Sequence, residues 1–297
     1  MTGTWKATCA SEIAAILECD YEGGDNPVSH PAPLHDATPD ALCFLNDGPR
    51  AIEAIPDKVG LLITVPNLVA EARSKGLTVL SHSKPKFAIC KAAYHLMRQH
   101  PAAGIHPTAI LGPDVKLGKD VTIGPFSILD GTITLQDNAV IESHVTLNNS
   151  VTIGPFSRIR SGARIGFDPF SLGRNNEGET YVFPSTGGVQ IGAFVNIFEN
   201  TTIARGAFDD TFIEDWVQIG DLVQIGNTVR IRSGAVVCPQ AQVGSQVDLG
   251  SGCWVGLGAA VRQRVTVGAR AFIGLGAVVV SDVPEAVTVM GVPARAR

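Results

Sequence analysis

The sequence is poor in charge and in aromatic rings. Asp, Glu, Lys and Arg make up 17% of its 297 residues, and Phe, Trp and Tyr only 6%. The formal net charge is −5 and no block of basic residues occurs. A general nucleic-acid or membrane-surface binder needs a concentrated positive field, so neither is expected. Local binding of a phosphate stays open. No apolar run approaches ~18 residues, so no integral membrane segment is expected. The opening MTGTWKATCASEIAAILECD lacks a basic stretch followed by a long apolar one, so no secretory leader is expected. The six cysteines (Cys9, Cys19, Cys43, Cys90, Cys238 and Cys253) form no CxxC pair. Reduced thiols, a cytoplasmic location and no metal site are the corresponding expectations. Histidine is missing from the second half. The seven are His30, His35, His82, His95, His100, His106 and His144.

What the sequence does have is a period. Stepping by six from Ile105 meets Leu111, Leu117, Ile123, Leu129, Leu135, Ile141, Leu147, Ile153, Ile159 and Ile165. The register stops and resumes at Ile191, Ile197 and Ile203. It stops again and resumes at Ile213, Ile219, Ile225 and Ile231, then runs through Val237, Val243, Leu249, Val255, Val261, Val267, Ile273 and Val279. A second lane of mostly small residues precedes the first by two positions, as in Ala109, Ser127, Ala163, Ala235, Cys253 and Ala277. Strand side chains alternate every two residues, so a six-residue step joins one short strand to one turn. Three steps close a triangular coil of eighteen residues. One coil cannot bury its own interior, so coils must stack. Nearly nine coils are predicted, giving a parallel β-helix roughly 40 Å long at ~4.8 Å per strand.

The two breaks mark insertions, 166–190 and 204–212, which leave the prism as loops. Insertions in a solenoid often form its binding face. Phe170, Tyr181 and Phe183 in the longer one predict a packed or functional loop. Residues 1–100 lack the period. Helices are predicted over 11–17, 67–75 and 84–98, and strands over 42–45, 60–65 and 77–80, giving a small α/β domain. Residues 101–104 link it to the β-helix, which takes the chain on to residue 297.

Several stretches resemble one family. They are HPTA at 106–109, TTI at 201–203, RGAFDDT at 205–211 and the layout of the long insertion between 165 and 191. ALCFLND at 41–47 and SKPKFAICKAAYHL at 83–96 add to them. Together they resemble the UDP-3-O-acylglucosamine N-acyltransferases of lipid A synthesis. The resemblance implies a left-handed β-helix, homotrimers with sites between prisms, a thioester acyl donor and a nucleotide-linked amino sugar. It also implies uridine binding by the N-terminal domain, with Phe44 and Asn46 at two contact positions. The second aromatic contact would fall near Arg50, which is not aromatic.

The family's catalytic pair is absent. Counting from Thr211, the histidine base falls on Asn227 and its aspartate partner, seven residues earlier, on Gly220. Neutral asparagine cannot act as a general base. An amine that arrives unprotonated needs none, and the departing thiolate can take its proton. Asn227 is then expected to position the amine or polarise the thioester oxygen. Asp209 and Asp210 are candidates to orient a sugar hydroxyl or amine, and Phe170 and Tyr181 to touch substrate. His144 is expected to face outward, where a trimer interface can bring it to a neighbouring site. The end of the chain, GLGAVVVSDVPEAVTVMGVPARAR, resembles the last coil of coenzyme A–dependent acetyltransferases. Arg262 and Arg264 are the candidates there for a donor phosphate, carried by acyl-coenzyme A or an acyl carrier protein. Two other readings stay open: a catalytically degenerate β-helix that binds a sugar nucleotide or partner, and a coenzyme A–dependent sugar O-acetyltransferase.

Overall fold

The computed structural model describes residues 6–48, 51, 53–96 and 103–296. The chain divides into two compact units, Met1–Pro101 and Ala102–Arg297.

In the first unit, strands His30–Pro31, Ala41–Leu45, Leu61–Thr64 and Val79–Ser81 pair in parallel. Tyr21–Glu22 adds an antiparallel edge. The central strands are almost wholly apolar because both faces are covered. One face packs helices α1 (Ala10–Leu17) and α3 (Pro85–Leu96), the other α2 (Val69–Ser74). Helix α1 buries Ala10, Ile13, Ala14 and Leu17, one stripe at helical spacing. It stops at Glu18, whose φ of 56° turns the chain left-handed. The helix predicted over 67–75 starts instead with a tight turn, Pro66–Leu68. Proline suits a first turn because no N–H is required there. Arg50 and residues 97–100, with the predicted end of α3, lie outside the described residues.

The second unit is a parallel β-helix, as the period predicts, and it is left-handed, as the resemblance implies. Its first side runs from Gly104–Ile105 to Thr288–Met290 in ten parallel rungs, closed by antiparallel Arg295–Ala296. The second side begins at Ile110–Leu111 and the third at Val115–Leu117. Both lanes point inward. From Ile123 to Val279 every lane residue is at most 3% exposed. Ile105 and Leu117 are 48% and 38% exposed, because the first coil has no layer beneath it.

Polar members of the small lane are satisfied by one repeated device. The Ser127 hydroxyl donates to the Glu142 carbonyl and accepts from the Val145 amide. Ser157 does the same with Gly192 and Val195, and Thr201 with Gly220 and Val223. A buried hydroxyl with both roles filled avoids the cost of an orphan.

The corners carry a feature that the period alone does not reveal. Three residues after a lane position, the backbone repeatedly turns left-handed, as at Phe126, Asn138, His144, Phe156, Asn200, Trp216 and Thr228. Glycine fills the equivalent position at Gly162, Gly234, Gly252, Gly258 and Gly276.

Candidate functional site

Both insertions leave the prism at the same corner, between the second and third sides. The first spans 168–188 and carries a hairpin pairing Leu172–Arg174 with Thr180–Val182. The second spans 205–210. One coil further on, the same corner is made by Asn227 and Thr228.

The RGAFDDT segment is built to hold these pieces together. Arg205 pairs with Asp168 at 2.7 Å, and its amide donates to the Phe167 carbonyl. A Cβ at Gly206 would lie 1.5 Å from the Asp209 carbonyl oxygen, so only glycine fits. The Asp210 carboxylate accepts from the Gly188 amide at 2.6 Å and the Gln190 side chain at 2.9 Å. Thr211 donates to the Ala204 carbonyl and accepts from the Thr228 amide. The Ala207 amide donates to the Thr228 hydroxyl at 3.1 Å. Phe183 meets Phe208 edge-on at 5.2 Å, joining the two insertions.

Between the second insertion and the third side lies an open groove of about 560 Å³. Phe208, Asp209, Asp210, Phe212, Thr228, Val229 and Arg230 line it. The Arg230 guanidinium lies 4.9 Å from the Phe212 ring centre. The groove thus offers an aromatic wall, one cation and one free-facing carboxylate. Asp209 is exposed, whereas Asp210 is half-buried and engaged by the first insertion. Asn227 is 7% exposed, and its amide nitrogen reaches the Thr228 hydroxyl at 3.4 Å.

The structure therefore brings together Asp209, Asp210 and, through Thr228, Asn227. It places the other candidates elsewhere. His144 stands at the corner between the first and second sides, stacked 5.1 Å from Phe126. Phe170 and Tyr181, on the first insertion, are 94% and 72% exposed. Arg264 shares the corner of Thr228 two coils away, its Nε donating to Gln246, and Arg262 is exposed nearby. In the N-terminal unit, Phe44 is half-buried against the cluster beneath α1 and α3, and Asn46 is exposed just past the carboxyl end of its strand. Sequence reasoning missed Phe212 and Arg230. Their signal is that each precedes a lane residue by one, so they point outward, eighteen residues apart on one side.

Gly220 also proves informative. It and Asn227 end successive sides of one coil, so an aspartate at 220 would not touch residue 227 of the same chain. A Cβ at Gly220 would stand 2.5 Å from the Pro239 ring nitrogen and Cδ. Gly220→Asp is therefore expected to destabilise the prism by about 1–3 kcal/mol through overpacking. Thermal unfolding checks this, and an unchanged or raised midpoint would refute it.

Among the described residues, no three or more His, Cys, Asp and Glu side chains group closely enough to hold a metal ion. Burial pushes the Cys253 thiol up to about 12 and the Cys43 thiol up to about 11, so both are poor nucleophiles. No described helix is long and apolar enough to cross a membrane.

No protein-family profile matches the chain. Over 82 residues, 28% of its length, it is 49% identical to UDP-3-O-acylglucosamine N-acyltransferase 2 of Legionella pneumophila, of which the match covers 24%. It is 46% identical over 83 residues to the UDP-3-O-acylglucosamine N-acyltransferase of Rickettsia bellii, again 24% of that protein. The chain thus matches about a quarter of the length of these curated relatives. The crystal structure of a UDP-N-acetylglucosamine O-acyltransferase from Moraxella catarrhalis superposes with a TM-score of 0.60 at 26% identity, covering 65% of this chain and 73% of that one. The UDP-N-acetylglucosamine acyltransferase of Campylobacter jejuni does so with the same score and identity, covering 65% and 74%. The chain is similar to acyltransferases of nucleotide sugars.

Proposed function

We propose that this protein is an N-acyltransferase that moves an acyl group from a thioester to the amine of a nucleotide-linked amino sugar. One observation carries the reading: an amide, Asn227, beside a groove whose described lining offers a carboxylate and a cation but no histidine. A neutral amine attacks the thioester carbonyl, the C–N bond forms and the C–S bond breaks. The amine proton leaves with the thiolate, so the protein supplies no base. Its contribution is placement and hydrogen bonding to the developing oxyanion. Asn227 serves that oxygen or the amine, Asp209 orients a sugar hydroxyl or the amine, and Arg230 attracts a phosphate. Asp210 acts at one remove, by holding the first insertion in place.

The finer parts of the reading rest on the family resemblance. They are a homotrimer whose neighbouring copy brings Phe170 or Tyr181 to the groove, with His144 an interface residue that takes no proton, and uridine contacts by Phe44 and Asn46. The donor is acyl-coenzyme A or an acyl carrier protein thioester, its phosphate met by Arg262 and Arg264. Both donors are cytoplasmic species, and we place the reaction there. The O-acyl chemistry named for the Moraxella neighbour is disfavoured, because a sugar hydroxyl depends on a general base far more than a neutral amine does, and no histidine is among the described groove-lining residues.

The test is thiol release from acetyl-coenzyme A and acyl carrier protein donors against a panel of UDP- and dTDP-amino sugars. Turnover with an amino sugar and none with its hydroxyl counterpart is the expected result. Nucleotide binding without turnover on any pair would replace this reading with that of a binding protein.

A further inference from the structure

Seventeen described non-glycine residues have positive φ, and Thr228 is the only one of them branched at Cβ. Its φ is 56°. Asparagine, glycine and unbranched side chains fill the equivalent corners elsewhere, because a β-branched residue crowds its own backbone in this region. Such strain persists only where the surroundings impose it, and it gathers at working sites. The surroundings here are specific. The Thr228 amide donates to the Thr211 hydroxyl at 2.9 Å. The Thr228 hydroxyl accepts from the Ala207 amide at 3.1 Å and meets the Asn227 side chain at 3.4 Å. The same side chain lines the groove.

We infer that Thr228 is a positioning residue, whose hydroxyl holds the second insertion and the Asn227 amide in fixed relation while its branched Cβ keeps the corner under strain. Asparagine or glycine would make this turn with less strain. A hydroxyl on a short branched stem ties two groups together, the Ala207 amide on one side and Asn227 on the other, at the edge of the groove. The inference rests on the acyl-transfer reading for its kinetic consequence, but its structural consequence stands apart.

Two substitutions separate hydroxyl from strain. Thr228→Val keeps the shape and the strain but removes the acceptor of the Ala207 amide. It is expected to lower kcat roughly 10- to 100-fold with KM less affected, the scale of losing one positioned polar contact. The Ala207 amide should then exchange with solvent at least tenfold faster. Thr228→Ser keeps the hydroxyl and removes the branch. It should recover at least tenfold of the lost kcat relative to Thr228→Val, return Ala207 exchange to near its original rate, and raise the thermal midpoint by roughly 1–3 °C. Equal kcat and equal Ala207 exchange in Thr228→Val and the unmodified protein would overturn the inference, as would a lower midpoint for Thr228→Ser. If the unmodified protein turns over none of the donor–acceptor pairs, the acyl-transfer reading fails. Exchange and midpoint then decide the role of Thr228 by themselves.

Discussion

Asn227→Ala is expected to lower kcat by roughly 10- to 1000-fold, or about 1.4–4.1 kcal/mol of transition-state stabilisation. The protein itself should stay folded. The residue is buried and keeps one side-chain contact, to the Thr228 hydroxyl at 3.4 Å, so its truncation should cost no more than the ordinary ~0.5–3 kcal/mol of a single substitution, which a folded domain tolerates. The pH profile supplies an independent signature. Without a protein base, the rate should follow the neutral fraction of the substrate amine, rising with pH until that amine is fully deprotonated. No inflection belonging to an imidazole with a pKa near ~6.5 should appear, since no histidine is among the described residues that line the groove. Steady-state rates of the two proteins across pH 5–9 check both points. Unchanged turnover in Asn227→Ala would move the chemistry to another part of the molecule.

Ile159→Ala is expected to cost about 2–5 kcal/mol of stability, the range for truncating a fully buried aliphatic side chain. Ile159 is 0% exposed, and its rung lies between those of Ile141 and Ile197. The cavity would open against two layers at once. The thermal midpoint should fall by about 5–15 °C. Thr266→Ala makes a control, since this exposed residue sits on the outside of the third side and surface changes normally stay within about 0.5 kcal/mol. If the two variants melt alike, the aliphatic lane is not the interior that the period implies.

The β-helix was legible because its information is local and repeated. Ile123, Ile141 and Ile159 each announce the same inward position, and their agreement outweighs any single residue. The insertions were legible as gaps in that count. The corner conformation was not. Whether Phe126 or Trp216 sits in a left-handed turn depends on hexad closure, which apolar periodicity does not record. The role of Asp210 was hidden for a different reason. Its partners, Gly188 and Gln190, precede it by some twenty residues across an insertion of irregular length. Gly220 reads as a missing aspartate in sequence. In space it is a close approach to Pro239, one coil away, which leaves no volume for a side chain. Asn227 is legible through the resemblance, whereas Thr228 beside it is not legible, because threonine is unremarkable until its φ is known.

The groove coil also occupies a particular place in the stack. Its first-side strand, Gln218–Ile219, is the sixth of ten parallel rungs. In a nearly one-dimensional array each layer is held by its two neighbours, and fraying starts at the ends, where one neighbour is missing. The half-exposed Ile105 belongs to such an end. A middle layer can separate only if two interfaces part together, or if fraying travels inward through several coils. Breathing motions that loosen the ends are therefore damped before they reach Asn227. The prism acts as a vibration mount for the proposed site, which would work through the accurate placement of a few polar atoms.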